Sequence, residues 1–344
     1  MKEPSRAGVL LCGAYGLDNA GDDAVLRAIP ASLREYDSSL PVTVLCRHAK
    51  KTARRFKLAC LSPLQPLRLW LHLRRTKLFL CGGGSLLQNA TSRRSLYYYL
   101  FALRLAKKAG CAVMLYGVGM GPLRGERDRA ATAEVLNTCV DAITVRDTDS
   151  LSFLQKLGVT VPPVRLAADA ALRPAESSRP REKTIAFCLR PWPGFETKIP
   201  CFTAAARYAR DRYRLQPEFV LLAEKDRAAA RAVCDRLDFP CRTVPGEAPV
   251  RRAELVVSMR LHGAIFAYSE GIPCACIAYD PKVSAFAREA GLPCEELKNV
   301  TETSLCRLID EAASLDTEQL SESLARLRRR ERGNLAVALE LLDR

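Results

Sequence analysis

Histidine is scarce in this chain: of 344 residues only His48, His72 and His262 are histidine, far apart in sequence. No cluster of His, Asp or Cys has the spacing of metal ligands, so no catalytic metal is expected. The pattern C-x-x-C is missing as well. Fourteen cysteines are present, but most of them, including Cys12, Cys81, Cys111, Cys188, Cys274 and Cys276, stand in apolar runs without regular spacing. A thiol in such a run behaves as a small hydrophobe. Even the C-x-C at Cys274 and Cys276 lies in an apolar strand whose alternation turns both thiols to one face, which points to core filling and not to a metal. A disulfide framework is not expected, and the reducing cytosol is the expected compartment. No stretch reaches the roughly 18 uncharged apolar residues that cross a bilayer. The apolar part of MKEPSRAGVLLCGAYG is too short for a secretory signal, so a soluble protein is expected.

Acidic residues are in deficit, 38 against 53 basic ones, which leaves a formal charge of +15. The excess reads as spread along the chain. It suits an anionic partner, whether phosphorylated substrate, nucleic acid or membrane surface, without choosing among them. No RNP, helix-turn-helix or zinc-finger pattern appears, which speaks against nucleic acid.

What is present is alternation. Short apolar runs at Val9–Cys12, Val42–Cys46, Leu78–Cys81, Ala112–Gly117 and Ala142–Val145, then Thr184–Leu189, Phe219–Ala223, Leu255–Val257 and Cys274–Ala278, are separated by amphipathic stretches such as Ala24–Tyr36, Ser95–Lys108 and Ala204–Arg212. This spacing predicts an α/β protein with parallel sheets covered by helices on both faces. The Pro-, Ser- and charge-rich stretch RPAESSRPREK predicts a linker at 173–183. Two Rossmann-like domains are therefore expected, over 1–172 and 184–316, facing each other across a cleft. Leu320, Leu324, Leu327, Leu335, Leu339 and Leu342 predict one amphipathic C-terminal helix over 317–344, weakened at Gly333.

Two glycine-rich turns follow predicted strands. In CGAYGLDNAGDDAVL, Gly13, Gly16 and Gly21 permit a tight turn ahead of a helix whose first N–H groups favour an anion. The spacing is that of neither a dinucleotide fingerprint nor a P-loop. Asp22 reads equally as a helix cap and as a site residue, whereas Asn19 has no evident local task. In FLCGGGSLLQNATSRRSLYYYL, three glycines (Gly82, Gly83, Gly84) exceed what a plain turn requires, so some group is expected to pack against bare backbone. Ser85, Gln88 and Arg93 offer donors there, with Arg94; one of the two arginines reads as solvated helix surface. Tyr97, Tyr98 and Tyr99 point three ways on a helix and read mainly as packing.

Single cations end other strands. Arg146 closes AITVRD, Arg190 closes IAFCLRPW, and Arg260 with His262 follows the run ending at Ser258. Several planar guanidinium forks suit a small dianion carrying carboxylate and phosphate. Each arginine alone has a local alternative, such as Arg146 with Asp147. The D-x-D of Asp147 and Asp149 reads as a helix cap in preference to a nucleotide-sugar metal site. His262, at a helix entrance two residues after Arg260, is placed for acid or base work.

The segments GAYGLDNAGDDAVL, CGGGSLLQNATSRRSLYYYL, YGVGMGPL, ITVRD, LRPW, SMRLHGAIFA and GIPCACIAYDPKV, between Gly13 and Val283, resemble the polysaccharide pyruvyl transferases, and among these the bacterial CsaB-type enzymes. The resemblance implies a GT-B-like fold and transfer of the pyruvyl unit of phosphoenolpyruvate onto two hydroxyls of one sugar as a ketal. It implies no further cofactor. Arg260, Leu261 and His262 match the family's donor-site segment, with Arg190 and Arg146 as further donor ligands, so the C-terminal domain is the expected phosphoenolpyruvate side and the N-terminal domain the acceptor side. The departures are small: Asp23 where relatives often carry Glu, and Ala170 where they often carry Pro. The implied acceptor is a cell-wall sugar precursor, carried on lipid at the cytoplasmic membrane, and PLRLWLHLRRTK, which otherwise reads as an ordinary helix on the sheet, is the stretch to touch an anionic membrane surface. A GT-B glycosyltransferase using a nucleotide-sugar is the competing enzyme, and a basic nucleic-acid-binding protein the competing class.

Overall fold

The computed structural model describes residues 6–173 and 180–344. These form two compact units. The first runs to Leu17, resumes at Asp22, continues to Ala170, and is completed by Arg329–Arg344; the second comprises Asp18–Gly21 and Ala171–Arg328. The expected linker over 173–183 falls largely on residues 174–179, which lie outside the described residues.

In the first unit the chain forms β1 (Val9–Cys12), α1 (Ala20–Tyr36), β2 (Val42–Leu45), α2 (Ala49–Phe56), β3 (Ala59–Leu61), α3 (Pro66–Leu73), β4 (Leu78–Gly82), α4 (Arg93–Lys108), β5 (Ala112–Val118), α5 (Glu126–Cys139), β6 (Ala142–Val145), α6 (Thr148–Lys156) and β7 (Val164–Leu166). The seven strands make one sheet in the order β3-β2-β1-β4-β5-β6-β7, and each adjacent pair is parallel. A parallel sheet covered on both faces buries both sides of its strands, which is why the inner ones read as unbroken apolar runs. On one face Leu10, Cys12, Phe79, Cys81, Val113, Leu115, Ile143 and Val145 pack with Leu69 and Leu73 of α3, Leu96, Leu100 and Leu103 of α4, and Val135 and Leu136 of α5.

The second unit continues with β8 (Glu182–Cys188), α7 (Ile199–Tyr213), β9 (Gln216–Leu221), α8 (Arg227–Cys234), β10 (Arg242–Pro245), α9 (Ala248–Arg252), β11 (Ala253–Ser258), α10 (Leu261–Ser269), β12 (Cys274–Ala278), α11 (Pro281–Ala290), β13 (Cys294–Glu296), α12 (Glu302–Ala313) and α13 (Thr317–Leu342). Its six-stranded parallel sheet has the order β10-β9-β8-β11-β12-β13. Phe187 and Phe219 stack at 5.3 Å between neighbouring strands, and this face is closed by Phe202, Ala205 and Ala209 of α7 with Leu305 and Ile309 of α12.

In both sheets the order in which the chain adds strands reverses once, between β1 and β4 and between β8 and β11. At such a reversal the two connections leave toward opposite faces, which opens a crevice beyond the strand ends where ligands of this fold class bind. The glycine turns after β1 and β4 and the cations after β8 and β11 are the segments at these two points.

Three findings refine the sequence expectations. Gly82 and Gly83 make room for α1: a Cβ on Gly82 would meet Ile29 at 2.8 Å, and one on Gly83, whose φ is +71°, would meet Val25 at 2.2 Å. In α13, which runs unbroken through Gly333, the buried stripe keeps one register from Leu320, Leu324 and Leu327 through Glu331 and Asn334 to Ala338 and Leu341, so that Leu335 and Leu339 are only half-buried. Residues 317–328 of this helix belong to the second unit and 329–342 to the first. Cysteine also departs in one place. Cys12, Cys81, Cys111, Cys188, Cys274 and Cys276 are buried free thiols, but Cys234 and Cys241 form a disulfide with their Cα atoms 6.1 Å apart, between the end of α8 and β10.

Candidate active site

In the second unit, the carboxyl ends of four adjacent strands, β9, β8, β11 and β12, each supply a residue to one cluster. Arg260 is the N-cap residue of α10 and is only 6% exposed. Its Nη1 donates to Asp226 Oδ1 at 2.7 Å and its Nη2 to Asn19 Oδ1 at 3.3 Å. The turn that carries it is pinned by Ser258, whose hydroxyl accepts from the Arg260 N–H at 3.1 Å and donates to the Arg260 carbonyl at 2.7 Å. Asp226, in the turn after β9, is fully buried, and its second oxygen accepts from the Ala223 N–H at 2.9 Å. Burial pushes this carboxyl above its usual range; Arg260 is the strongest influence holding it down, followed by the Ala223 N–H and Arg190.

Arg190 follows β8 and lies against two aromatic rings, 5.9 Å from the centroid of Trp192 and 5.5 Å from that of Tyr279, which are themselves 4.6 Å apart. Among the described residues its guanidinium makes no hydrogen bond or ion pair. A guanidinium that lies over aromatic rings without a carboxylate partner keeps its donors for a planar or tetrahedral anion. Tyr279, which follows β12, is pushed up by burial and drawn down by Arg190 and then Arg260, so all three share one electrostatic neighbourhood.

His262, the second residue of α10, is half-buried and sits 6.1 Å from the Phe266 ring. Its imidazole lies against Gly21, where a Cβ would come within 2.0 Å of Nδ1. Asn19 has a local task after all. It pairs with Ala223 in an antiparallel bridge, accepts from the Gly21 N–H at 3.2 Å and braces Arg260. Leu261 is buried at 5% exposure and belongs to the packing beneath α10.

The first unit has its own polar cluster at the carboxyl ends of β4, β5, β6 and β7. Arg146, 7% exposed, donates through Nε to Asp147 at 3.3 Å, through Nη1 to Asp169 at 3.2 Å and through Nη2 to the Ser85 hydroxyl at 3.1 Å. The pairing with Asp147 that the sequence allowed is present, and Asp169 is added to it. Asp147 also caps α6, accepting from the Ser150 N–H at 2.7 Å. Gly119 leaves the space that this network fills, since a Cβ there would meet Arg146 at 2.6 Å and Ser85 at 2.8 Å. From α13, Arg330 and Asn334 donate to the carbonyls of Ala167 and Ala168, each at 2.9 Å, and so fix the segment that carries Asp169. Gly84, with φ +71°, is the one glycine of the triplet left open, and Asp22 stands 3.6 Å from where its Cβ would be.

A family model described as polysaccharide pyruvyl transferase matches residues 19–244 and 247–281. The chain belongs to the polysaccharide pyruvyl transferase family. The matched region contains both clusters, from Asn19 to Tyr279. A search of curated protein sequences finds no significant match. Among solved structures, Anabaena HepE in complex with UDP is similar over 98% of this chain and 100% of its own, at 11% identity and TM-score 0.64. A UDP-GlcNAc 2-epimerase from Methanocaldococcus jannaschii covers 93% and 98% at 10% identity and TM-score 0.63, and a glycosyltransferase from Rickettsia africae covers 98% and 99% at 9% identity and TM-score 0.60. Identities this low show a shared GT-B-like fold and nothing further.

Of the residues that the sequence nominated for this family's chemistry, Asn19, Arg190, Arg260 and His262 fall in the second unit's cluster, and Ser85 and Arg146 in the first unit's. Gln88 and Arg93 have local structural tasks. The Gln88 amide closes a turn with Thr91. Arg93 donates through Nε and Nη2 to Asp128, which also accepts from Tyr97 and Asn89 and so ties α4 to α5. Arg93, then Asn89, hold the Asp128 carboxyl down at about 2. A depressed carboxyl stabilises the fold above its unfolded value, near 4, and that contribution is lost as pH falls toward 2. The difference in urea midpoint between wild type and Asp128→Asn is therefore expected to be constant from neutral pH to about pH 4 and to shrink below it.

Proposed function

We propose that the protein moves the pyruvyl unit of phosphoenolpyruvate onto two hydroxyls of a cell-wall or exopolysaccharide precursor sugar, forming a ketal and releasing phosphate, in the cytoplasm. The observation that supports this most is the second unit's cluster. An Arg190 with open donors over two aromatic rings, a buried Arg260 oriented by Asp226 and Asn19, and an imidazole at a helix entrance sit at the topological reversal of one sheet.

Arg190 and Arg260 hold the carboxylate and phosphate of the donor. His262 exchanges the proton, either delivering one to the methylene carbon C3 or taking one from the attacking hydroxyl. Protonation of C3 places positive charge on C2, and the sugar oxygen bonds there with loss of its hydrogen. The C2–O bond to phosphate then breaks, phosphate leaves with both electrons and takes up a proton, and the second hydroxyl closes the ketal as its own proton departs. One hydroxyl proton is thus matched by the new C3–H and the other by the phosphate. The donors around the cluster act without reorganising as the charge shifts.

Acceptor screening with phosphoenolpyruvate tests the proposal by product mass and phosphate release. A product heavier by one pyruvyl ketal, with Arg190→Lys lowering kcat/KM by about 10²-fold because ammonium has neither fork nor stacking face, is the expected result. HepE was crystallised with UDP, which favours a second reading, transfer from a nucleotide-sugar. Release of UDP without consumption of phosphoenolpyruvate would establish it and defeat the first.

A further inference from the structure

The positive charge of the chain is not dispersed. Between Ser38 and Gly125 there are sixteen basic residues and no acidic one, while the rest of the chain carries 37 basic and 38 acidic residues. The net charge of the whole protein is in effect that of this one segment, which builds β2 to β5 and α2 to α4 of the first unit.

Within the segment, α3 breaks the rule that a helix covering a sheet turns its apolar side inward and its polar side outward. Leu69 and Leu73 enter the core, with Trp70 packed against it. The outward face is apolar as well: Leu67 and Leu71, one turn apart, are 70% and 54% exposed, and Leu64, in the turn ahead of them, is 78% exposed. Phe101, 60% exposed on α4, stands on the same side of the sheet. Arg68 on α3 and Arg74 and Arg75 in the turn that follows it are exposed and form no ion pair among the described residues.

We propose that this face docks the protein on an anionic lipid bilayer, with Leu64, Leu67 and Leu71 entering the interface and Arg68, Arg74 and Arg75 meeting lipid phosphates. Exposed leucines on a helix with arginines beside them and at its end are what an interfacial helix presents. An acid-free segment supplies the long-range attraction to a negative leaflet. Among the described residues no helix is long and apolar enough to cross a membrane, so α3 lies on the surface. A second copy of the chain is a poorer occupant, because a symmetric contact would set these arginines against their own equivalents. Nucleic acid would use the charge and leave the leucines without a task. The docking does not depend on which group the enzyme transfers.

The test is co-sedimentation of the full-length protein with vesicles of phosphatidylglycerol and phosphatidylcholine, beside vesicles of phosphatidylcholine alone. Binding to the anionic vesicles that weakens with salt is expected. Leu67→Ser with Leu71→Ser should lower the partition coefficient by more than about tenfold, and Arg74→Gln with Arg75→Gln should lower it by a similar factor, with circular dichroism unchanged for both. No binding by wild type would overturn the proposal. So would unchanged binding of the leucine variant, which is the behaviour of charge alone, or a dimer in sedimentation equilibrium that the leucine variant abolishes while wild type ignores vesicles.

Discussion

Arg260→Ala is expected to abolish pyruvyl transfer and to cost about 3–5 kcal/mol of folding stability, the usual consequence of breaking a buried ion pair from one side. Asp226 is fully buried, and burial already outweighs its partners enough to raise its carboxyl. Without Arg260 the strongest opposing influence is gone, and the carboxyl rises further above its unfolded value. A raised carboxyl leaves the folded state stable while it is protonated and destabilises it as pH rises through the range between the unfolded and folded values. The stability deficit of Arg260→Ala should therefore be smallest in acid and grow toward neutrality. Chemical denaturation across pH checks this, and a deficit independent of pH would count against the buried pair. The double variant Arg260→Ala with Asp226→Ala separates the two roles. Removing both charges should restore much of the stability, because no lone carboxylate remains, while activity stays lost. If the double variant were as unstable as the sum of the two singles, the pair would not be coupled.

Asp226 was not legible in the sequence. In LLAEKDRAAA it reads as one of several charges at the start of a surface helix, and its weight comes only from Arg260, 34 residues further on. That proximity is set by the order β9-β8-β11, which depends on crossover connections that no local pattern encodes. The same limit explains the strands. Each apolar run recognised in the sequence became a strand inside a sheet, whereas β3, β7, β10 and β13, which it did not show, are the four edges. None of those four contains a buried residue; an edge strand is open on one side and bears no apolar signature. The glycine triplet was legible as a close approach but not as to what approaches, since α1 and a ligand place the same demand on bare backbone. The strand-end cations were legible because a charge that closes an apolar run has few structural uses. Which of them are already paired, as Arg146 is with Asp147 and Asp169, took the fold to show.

Gly21→Ala is expected to act as strongly on the reaction as loss of the imidazole itself, at little cost to the fold. Gly21 lies in the first turn of α1, where alanine is the better helix former, and its φ is not in the region that favours glycine. Local propensity thus predicts a neutral or slightly stabilising change. The added methyl, however, would stand 2.0 Å from His262 Nδ1 and 2.3 Å from its Cγ, far inside contact distance, and the ring is backed by Phe266. The imidazole has to turn away. A general acid or base displaced by even an ångström loses most of its effect, so kcat/KM for pyruvyl transfer should fall by about 10²–10⁴-fold, as for His262→Ala, with the melting temperature nearly unchanged. Because both substitutions remove the same group from the same place, the double variant should be no worse than either single one. Multiplying losses would mean that Gly21 serves something other than the position of His262, and full activity in Gly21→Ala would mean that the imidazole does not work from where it stands.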